Sequence, residues 1–280
     1  MCTAVKVFDR YDAGKSDFTP SSLERPVRIA VLTRRHWDEL KEDVSDRVWT
    51  LSGQIGHLLF ENIAKAEPER YVAERRFYRE LDGHTIGARI DCYDEKELTT
   101  WDYKETSVWK FILGDTAEWE AQLNVGRWCA PDVDVRKLRV LAKLKDWKIR
   151  EAERRPDYPQ CAIHIVPIEI WTDARVEQYI RDRIKAHIDG KDNPPVCTPE
   201  ERWERGGTWA VMKRGRKSAV KLFDNDVEAR EMVLTDAAYY LERRLPEPTR
   251  CLRYCPVNRF CDFYLSLGIG AQGELPLNGE

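Results

Sequence analysis

The sequence predicts an α/β fold in which a mixed central sheet is flanked by helices. Three observations lead to this prediction: one long segment with helical spacing of its apolar residues, three successive strand-like segments joined by turns, and a second alternation of helices and strands further along. The chain has 280 residues, of which 42% are hydrophobic. It can therefore bury one large core and carry an appendage.

The first half of the chain supplies the long helix and a short meander. A helical pattern begins near Pro20 with a serine as its N-cap. The long helix is predicted over residues 46–66, where the apolar residues recur at helical spacing: Val48, Leu51, Ile55, Leu58, Leu59 and Ile63. Strands are predicted over residues 71–81, 85–93 and 98–104, and the first turn is Asp82-Gly83, a favoured hairpin sequence.

The second half continues the alternation and then changes character. A helix is predicted over residues 118–129, strands over 138–144 and 162–170, and a helix after Thr172-Asp173 with one apolar face: Val176, Tyr179, Ile180 and Ile184. The break Asn193-Pro194-Pro195 predicts four regions: an extension (1–45), a core (46–192), an appendage (193–264) and a tail (265–280). The appendage is expected to contain a hairpin over 208–223 and a helix over 226–244.

The charge balance excludes a protein that coats DNA by charge alone. Lys and Arg number 46 and Asp and Glu 49, so the formal net charge is −3. No apolar run is long enough for a membrane span, and the N-terminal residues lack the apolar stretch of a secretory signal. A cytoplasmic location without membrane contact is expected. Thiols stay reduced there, so the eight cysteines need an explanation other than disulfides.

The predicted meander carries the main chemical signal. Asp102 and Lys104 are two residues apart, so their side chains share one strand face, and Asp91 closes the preceding strand. Neighbouring carboxylates repel unless a cation joins them, and Mg²⁺ or Mn²⁺ prefers such oxygen ligands. A nearby lysine can orient water or stabilise charge on a phosphoryl oxygen. The alternative is an exposed Asp–Lys pair on a solvated sheet face.

Other residues widen this pattern into a recognisable order. Gly53 and His57 form G-x-x-x-H on the long helix, Glu74 lies on the first strand, and Gln122 lies on the later helix. With G-x-x-I-D ending at Asp91 and D-Y-K at 102–104, residues 46–172 resemble the PD-(D/E)XK nuclease superfamily. The resemblance is to its RecB-like branch, which includes phage recombination exonucleases and CRISPR-associated exonucleases. Segments 18–23 and 44–47 also resemble phage-encoded members.

The resemblance implies a restriction-endonuclease-like core and a role for each motif residue. Asp91 would be the central metal ligand and Asp102 the second, with the Tyr103 carbonyl and His57 as additional ligands. Lys104 would position the attacking water. The remaining roles would fall to Glu74, as a ligand of a second metal or an orienting group, and to Gln122, as a phosphate contact. RecB-like members usually carry Tyr four residues after this Gln, whereas this chain has Gly126; Arg127 is an alternative phosphate contact.

A cysteine cluster stands near the C-terminus. Cys251, Cys255 and Cys261 have the spacing C-x3-C-x5-C, and three thiolates so close together can share a metal. Cys197 is the favoured fourth ligand, with Cys2, Cys129 and His187 as rivals. The resemblance implies a [4Fe–4S] cluster, although its usual spacing is C-x2-C-x5-C, so Zn²⁺ stays open. The alternative is a set of buried, unligated thiols.

The hairpin of the appendage is a candidate DNA contact. Residues 210–221 contain five basic residues and no acidic one: Lys213, Arg214, Arg216, Lys217 and Lys221. They are expected to contact phosphates, which gives affinity without sequence specificity, or else to form a solvated turn. Exposed tryptophans could stack on unpaired bases. The sequence does not reveal which of the ten tryptophans are exposed.

The expected function is that of a divalent-metal-dependent DNase, an exonuclease in preference to an endonuclease. It would act on DNA ends or single strands in recombination or repair, in a bacterial host cell if the gene is phage-encoded. DNA is the expected partner, and the resemblance allows a recombination or single-strand-annealing protein as a second. The alternative is a catalytically silent nucleic-acid-binding or scaffolding protein with the same fold.

Overall fold

The computed structural model describes residues 14–40, 47–114 and 116–268, which divide into two compact units. The first comprises the described residues up to Arg25 and from 47 to Asp189, and the second comprises Pro26–Leu40 together with the described residues from Gly190 onward. The longer part of the second unit therefore begins at Gly190, three residues before the predicted break at Asn193. The second unit also includes part of what the sequence predicted as a separate N-terminal extension.

Helices alternate with strands along the first unit, with helices numbered along the whole chain. Its helices are α1 (Pro20–Glu24), α3 (Val48–Ala66), α4 (Val108–Ile112), α5 (Ala117–Cys129), α6 (Ile149–Arg154) and α7 (Asp173–Asp189). Its strands are β1 (Tyr71–Leu81), β2 (His84–Asp94), β3 (Thr99–Thr106), β4 (Lys137–Leu144) and β5 (Ile163–Ile168). Helix α1 begins at a threonine cap, because Thr19 and Ser22 form a capping box.

One five-stranded sheet runs in chain order from β1 to β5. The pairings are antiparallel except for the parallel pair β3–β4, so the sheet is mixed and the predicted α/β class with flanking helices is confirmed. Asp82 and Gly83 both have positive φ, of 51° and 81°, as a tight hairpin turn requires. This turn pairs Leu81 with His84 and fixes the register of β1 and β2.

The core of the first unit forms where α5 and α7 pack with β2. Val125 and Trp128 of α5 are buried with Ile86 of β2. The apolar face predicted for α7 is also buried there, with Val176 and Ile180 fully enclosed. Each such side chain contributes about 1.5–3 kcal/mol of transfer free energy. This packing holds α5 against the strands that carry the candidate site.

The second unit contains two small sheets and short helices. Its helices are α2 (Val27–Arg35), α8 (Asp226–Val233), α9 (Thr249–Arg253) and α10 (Asp262–Ser266). Strands β6 (Glu204–Arg205) and β10 (Glu247–Pro248) pair, and β8 (Lys221–Phe223), β7 (Thr208–Lys213) and β9 (Tyr239–Arg244) form a second sheet in that order. Helix α2 belongs here because Ile29 and Leu32 pack with Val257 and Cys261.

The helix predicted over 226–244 is wrong in its second half. Helix α8 ends at Val233, and residues 239–244 form strand β9. Asp236 accepts a hydrogen bond from the Ala238 amide, which stabilises a turn between the two. Tyr239 and Leu241 then alternate along the strand and pack beside Val211, so tertiary pairing with β7 overrides the helical pattern.

Among the described residues, no helix combines the length and apolar character that a bilayer crossing requires.

Candidate metal centre and active-site cleft

The candidate site lies where strands β2 and β3 separate. Their last ladder pair is Cys92 with Trp101, next to Asp91 and Asp102. The Asp91 side chain takes the place of a backbone partner, because its Oδ2 accepts a 2.9 Å hydrogen bond from the Tyr103 amide. The parting strands therefore leave two carboxylates side by side, each 8% exposed.

Strand β1 contributes Glu74 through an unusual backbone conformation. Glu74 has φ of 54°, and the ladder pairs on either side of it are Ala73 with Cys92 and Arg75 with Ile90. A non-glycine residue in the left-handed region costs about 1–3 kcal/mol, and such strain concentrates at functional sites. Arg89, on the neighbouring strand β2, holds the Glu74 carboxylate with a 2.9 Å ion pair from its Nε to Oε2.

His57 of α3 completes a cluster with these two carboxylates. Its Nδ1 lies 3.3 Å from Glu74 Oε1 and 3.3 Å from Asp91 Oδ2. One ligand atom from each of the three residues lies within 4.8 Å of the others. His57 Nδ1 and Glu74 Oε1 are buried and have no hydrogen-bond partner among the described residues. Converging, unsatisfied polar atoms of this kind suit a cation better than a packed core.

The pKa values reflect the accumulated charge. Burial acts against the charged form of His57, but the carboxylates of Asp91 and Glu74, each 3.3 Å from Nδ1, outweigh it and raise the His57 pKa to about 10. Burial likewise opposes ionisation of Asp91, yet His57, Lys104 and the Tyr103 amide lower its pKa. The imidazolium thus balances carboxylate charge that a bound cation would otherwise balance.

Asp102 and Lys104 form the second half of the site. As predicted from their spacing, both side chains lie on one face of β3, and Lys104 Nζ lies 2.9 Å from Asp102 Oδ1 and 2.7 Å from Oδ2. The β4 residues opposite them, Val140 and Ala142, are fully buried, which explains the low exposure of the pair. Burial, together with the charge of Asp91, raises the Asp102 pKa to about 6 against the effect of Lys104.

These residues line one cleft of about 230 Å³. His57, Asp91, Asp102, Lys104 and Gln122 are all at its surface. Further lining residues were not found from the sequence: Thr19, Ser21, Arg76 and Arg89. Only Arg89 carried a usable signal, because it lies two residues before Asp91 and therefore on the same strand face.

Gln122 and Arg127 lie on different faces of helix α5, and only Gln122 lines the cleft. Gly126 is four residues after Gln122 and also lines the cleft, whereas a residue five positions on is rotated by about 140°. Arg127 contacts Asp173 and donates a 3.2 Å hydrogen bond to the Trp171 carbonyl. The structure therefore does not bring Arg127 to the cleft. A Cβ at Gly126 would have nothing within 4 Å, so this glycine leaves open the space beside Gln122.

Gly56 sets the approach of α3 to the site, and this gives a prediction for stability. A Cβ there would lie 1.9 Å from Tyr103 Cε1. Gly56→Ala is therefore expected to lower the free energy of unfolding by about 1–3 kcal/mol, because a buried ring must move. Urea unfolding measures this. Gly53→Ala is the matched control: its Cβ meets nothing within 4 Å, so helix propensity should raise stability by up to about 1 kcal/mol. Equal effects of the two changes would contradict this packing.

Glu24 gives a prediction for pH dependence. Burial and then Glu118 raise its pKa from 4.5 to about 7, against the opposing charges of Lys110, Lys104 and Arg183. The folded state therefore holds this proton more tightly than the unfolded chain does. The stability that protonated Glu24 contributes is fully present below pH 4.5 and is lost as pH rises from 4.5 to 7. Glu24→Gln should raise stability by about 2–3 kcal/mol at pH 8.5 and change little at pH 4.

Urea unfolding at the two pH values measures the Glu24 effect. Glu80→Gln, on an exposed position of β1, is the control and should change stability by less than about 0.5 kcal/mol at either pH. A gain for Glu24→Gln that is the same at both pH values would contradict the assignment.

The second unit brings four cysteines to one small cavity. Cys197, Cys251, Cys255 and Cys261 line a space of about 20 Å³. Burial, then Glu201 and the three other cysteines, raises the Cys197 pKa to about 12. The rival ligands lie elsewhere: Cys129 and His187 belong to the first unit, and Cys2 lies outside the described residues.

Arginines surround this cysteine cavity. Arg28, Arg202 and Arg250 line it, and Arg28 Nη1 lies 3.7 Å from Cys261 Sγ. The Arg28 guanidinium is also fixed by hydrogen bonds to the Pro194 and Pro195 carbonyls, of 2.7 and 3.0 Å. Positive charge next to the sulfurs stabilises thiolates, the form in which cysteine binds metals.

The basic hairpin is present, with β7 and β8 as its strands. Lys213 is paired with Asp236 at 3.0 Å. Within the described part of the chain, no carboxylate lies within 4.0 Å of the other four exposed basic residues of the hairpin, which are Arg214, Arg216, Lys217 and Lys221.

Comparison with known proteins does not identify a function for this chain. No protein-family model matches the sequence, and no curated protein matches it. Among solved structures, the chain is similar to the crystal structure of SSO0001, with 16% sequence identity, a TM-score of 0.47, and coverage of 66% of this chain and 82% of that one.

Proposed function

We propose that this protein is a divalent-metal-dependent deoxyribonuclease of the RecB-like branch of the PD-(D/E)XK superfamily. The observation that carries the proposal is the cluster of His57, Glu74 and Asp91, of which His57 and Asp91 line one cleft with the Asp102–Lys104 pair. Paired carboxylates, an imidazole and a lysine are the groups that phosphodiester hydrolysis by a metal-activated water requires.

The donor set fits Mg²⁺ or Mn²⁺. Carboxylate oxygens are hard ligands, and the unsatisfied His57 Nδ1 and Glu74 Oε1 face the same space as Asp91. We assign Asp91, Asp102 and His57 as the ligands, with Glu74 as a ligand or orienting group and the Tyr103 carbonyl as a further candidate. A bound cation would supply Lewis-acid chemistry, lowering the pKa of water and offsetting charge on phosphoryl oxygens.

Lys104 is the residue that acts on water and phosphate. Both carboxylate oxygens of Asp102 contact its ammonium group and fix the position of Nζ at the cleft surface. It can donate to an attacking water or to a phosphoryl oxygen, where negative charge develops in the transition state. Gln122 lines the same cleft and supplies an uncharged contact to phosphate.

Substrate affinity is assigned to the basic hairpin. Its five basic residues present positive charge, and at four of the five positions no carboxylate of the described residues lies within 4.0 Å: Arg214, Arg216, Lys217 and Lys221. Each phosphate contact releases counterions, so binding should weaken as salt rises. Such contacts are independent of base sequence, as an exonuclease or end-processing enzyme requires.

The four cysteines are proposed to hold a [4Fe–4S] cluster, with Zn²⁺ as the alternative. Cys251 and Cys261 are buried and Cys197 and Cys255 are half-buried around one cavity, and three adjacent arginines would offset the negative charge of four thiolates that bind either group. When bound, the group would tie α9, the segment from Cys255 to Cys261 and the segment before β6 together within the second unit.

The test of catalysis is cleavage of end-labelled single- and double-stranded DNA with Mg²⁺, with Mn²⁺ and with EDTA. Lys104→Ala is expected to lower the rate about 100- to 1,000-fold, because one transition-state donor is lost. Lys137→Ala is the matched control, since it removes an exposed lysine of the same sheet.

The cleavage products, and the loss of cleavage in each variant, decide between a nuclease and a catalytically silent nucleic-acid-binding protein. Metal-dependent cleavage by the wild type and by Lys137→Ala, but not by Lys104→Ala, supports the nuclease, and the product ladder distinguishes attack at ends from internal attack. DNA binding without cleavage under any metal condition would instead support the silent nucleic-acid-binding alternative.

A further inference from the structure

We propose that Trp203 and Tyr254 form a stacking site for unpaired bases of single-stranded nucleic acid. The inference deepens the proposed function, because it names the substrate form that the second unit recognises. Among the described tryptophans whose exposure is resolved, three are largely exposed: Trp37, Trp109 and Trp203. Of these, only Trp203 has an aromatic neighbour that is itself exposed.

The two rings present a shared, accessible aromatic surface. Their centroids are 5.5 Å apart at an interplanar angle of 57°, so the two rings are tilted and do not stack face to face on each other. Trp203 is 44% exposed and Tyr254 is 63% exposed. Aromatic pairs gain most when they are buried, and adjacent exposed ones mark binding surfaces. A nucleobase offers a flat π-face that such rings accept whatever its identity.

Trp203 is held in this exposed position by a backbone conformation that is unfavourable in free energy. Its φ is 51°, which makes a bulky residue a real conformational outlier. The Trp203 amide donates to the Glu200 carbonyl at 3.0 Å, and the Glu204 amide donates to the Pro199 carbonyl at 2.8 Å. These bonds fix the turn that carries the side chain. A strained conformation that keeps a large aromatic group in water points to a use for that group.

Arg250 supplies a cation beside the aromatic pair. Its guanidinium carbon lies 4.9 Å from the Trp203 ring centroid, and its Nη1 donates to the Glu201 carbonyl at 3.2 Å. Its amide also donates to the Arg202 carbonyl at 2.9 Å, so it is fixed at both ends. A base stacked on Trp203 would therefore have positive charge nearby for its phosphate.

The geometry favours unpaired bases over a duplex. Inside a duplex, the neighbouring pairs cover both faces of each base, so an aromatic pair can stack there only on a base that has left the helix. A nuclease that works on ends or single strands meets such bases. A duplex of equal length would still contact the basic hairpin through its phosphates.

The experiment measures binding of fluorescent oligothymidylate to the full-length protein by anisotropy in EDTA. Trp203→Leu is expected to weaken binding about 5- to 150-fold, because stacking contributes about 1–3 kcal/mol per base. Trp203→Phe should retain most of the affinity, since it keeps a π-face. Trp37→Leu, which removes a 69% exposed tryptophan of the same unit, should bind like the wild type.

An abasic oligonucleotide isolates the stacking contribution. With bases removed, wild type and Trp203→Leu should bind equally, because only phosphate contacts remain. The inference is overturned if Trp203→Leu binds oligothymidylate within twofold of the wild type, or if the wild type does not prefer oligothymidylate to the abasic strand. Because EDTA removes the divalent cation that cleavage requires, this assay reports binding alone, and failure of the nuclease proposal would leave its result unaffected.

Discussion

Replacing Asp91 by asparagine is expected to lower metal-dependent DNA cleavage at least about 1,000-fold. Asp91 is the one carboxylate that contacts His57 and also accepts the Tyr103 amide at the point where β2 and β3 separate. The amide of asparagine keeps the volume and one acceptor oxygen but removes the charge that attracts a cation. Loss of a metal ligand costs several kcal/mol of transition-state stabilisation, and each 1.4 kcal/mol is about tenfold in rate.

Two measurements separate this effect from misfolding. Titration with Mn²⁺ should show weakened binding to Asp91→Asn, while urea unfolding should show a folded protein with a cooperative transition. Asp134→Asn, an exposed aspartate of the same unit, should match the wild type in all three assays. Cleavage by Asp91→Asn at more than a tenth of the wild-type rate would remove Asp91 from the proposed centre.

The second large effect is expected at the cysteine cavity. Anaerobically purified protein should absorb near 400 nm if the group is [4Fe–4S], or contain stoichiometric zinc without colour. Cys251→Ser should lose the group. Because metal binding at a structural site contributes several kcal/mol to folding, the melting temperature of the second unit should fall by more than about 10 °C.

Cys161→Ser is the control for this experiment, because Cys161 is exposed and lies in the first unit. It should keep the colour or zinc content and the melting temperature of the wild type. A metal-free, colourless wild type whose stability does not change in Cys251→Ser would leave four unligated thiols around this cavity as the correct description.

Much of the first unit could be predicted because its signals are local. The bounds of β1 were predicted to the residue, since alternation ends at a turn whose two residues favour positive φ. Helix α2 was not distinguished from the helical pattern that begins near Pro20, and strand β9 was assigned to a helix, because both depend on partners far along the chain. Val27–Arg35 has few apolar neighbours until Val257 and Cys261 pack against it.

The candidate site was predictable in composition but not in geometry. The two-residue spacing of Asp102 and Lys104 fixes their shared strand face, so this pair follows from sequence alone. The placement of Glu74 depends on a positive φ in the middle of a strand, which no propensity indicates for glutamate. The direction of Arg127 follows from helix geometry, yet its carboxylate partner, Asp173, comes from a distant segment.

The discontinuity of the second unit has a consequence for biosynthesis. Arg28 and Pro195 are 167 residues apart in sequence and joined by a hydrogen bond, so their contact has a high contact order. At about 5–20 residues per second, a ribosome would expose Ile29 and Leu32 for roughly 10–45 s before Val257 and Cys261 emerge. Completion of the second unit is therefore expected to come late in synthesis, and this unit is expected to depend on chaperones more than the first unit does.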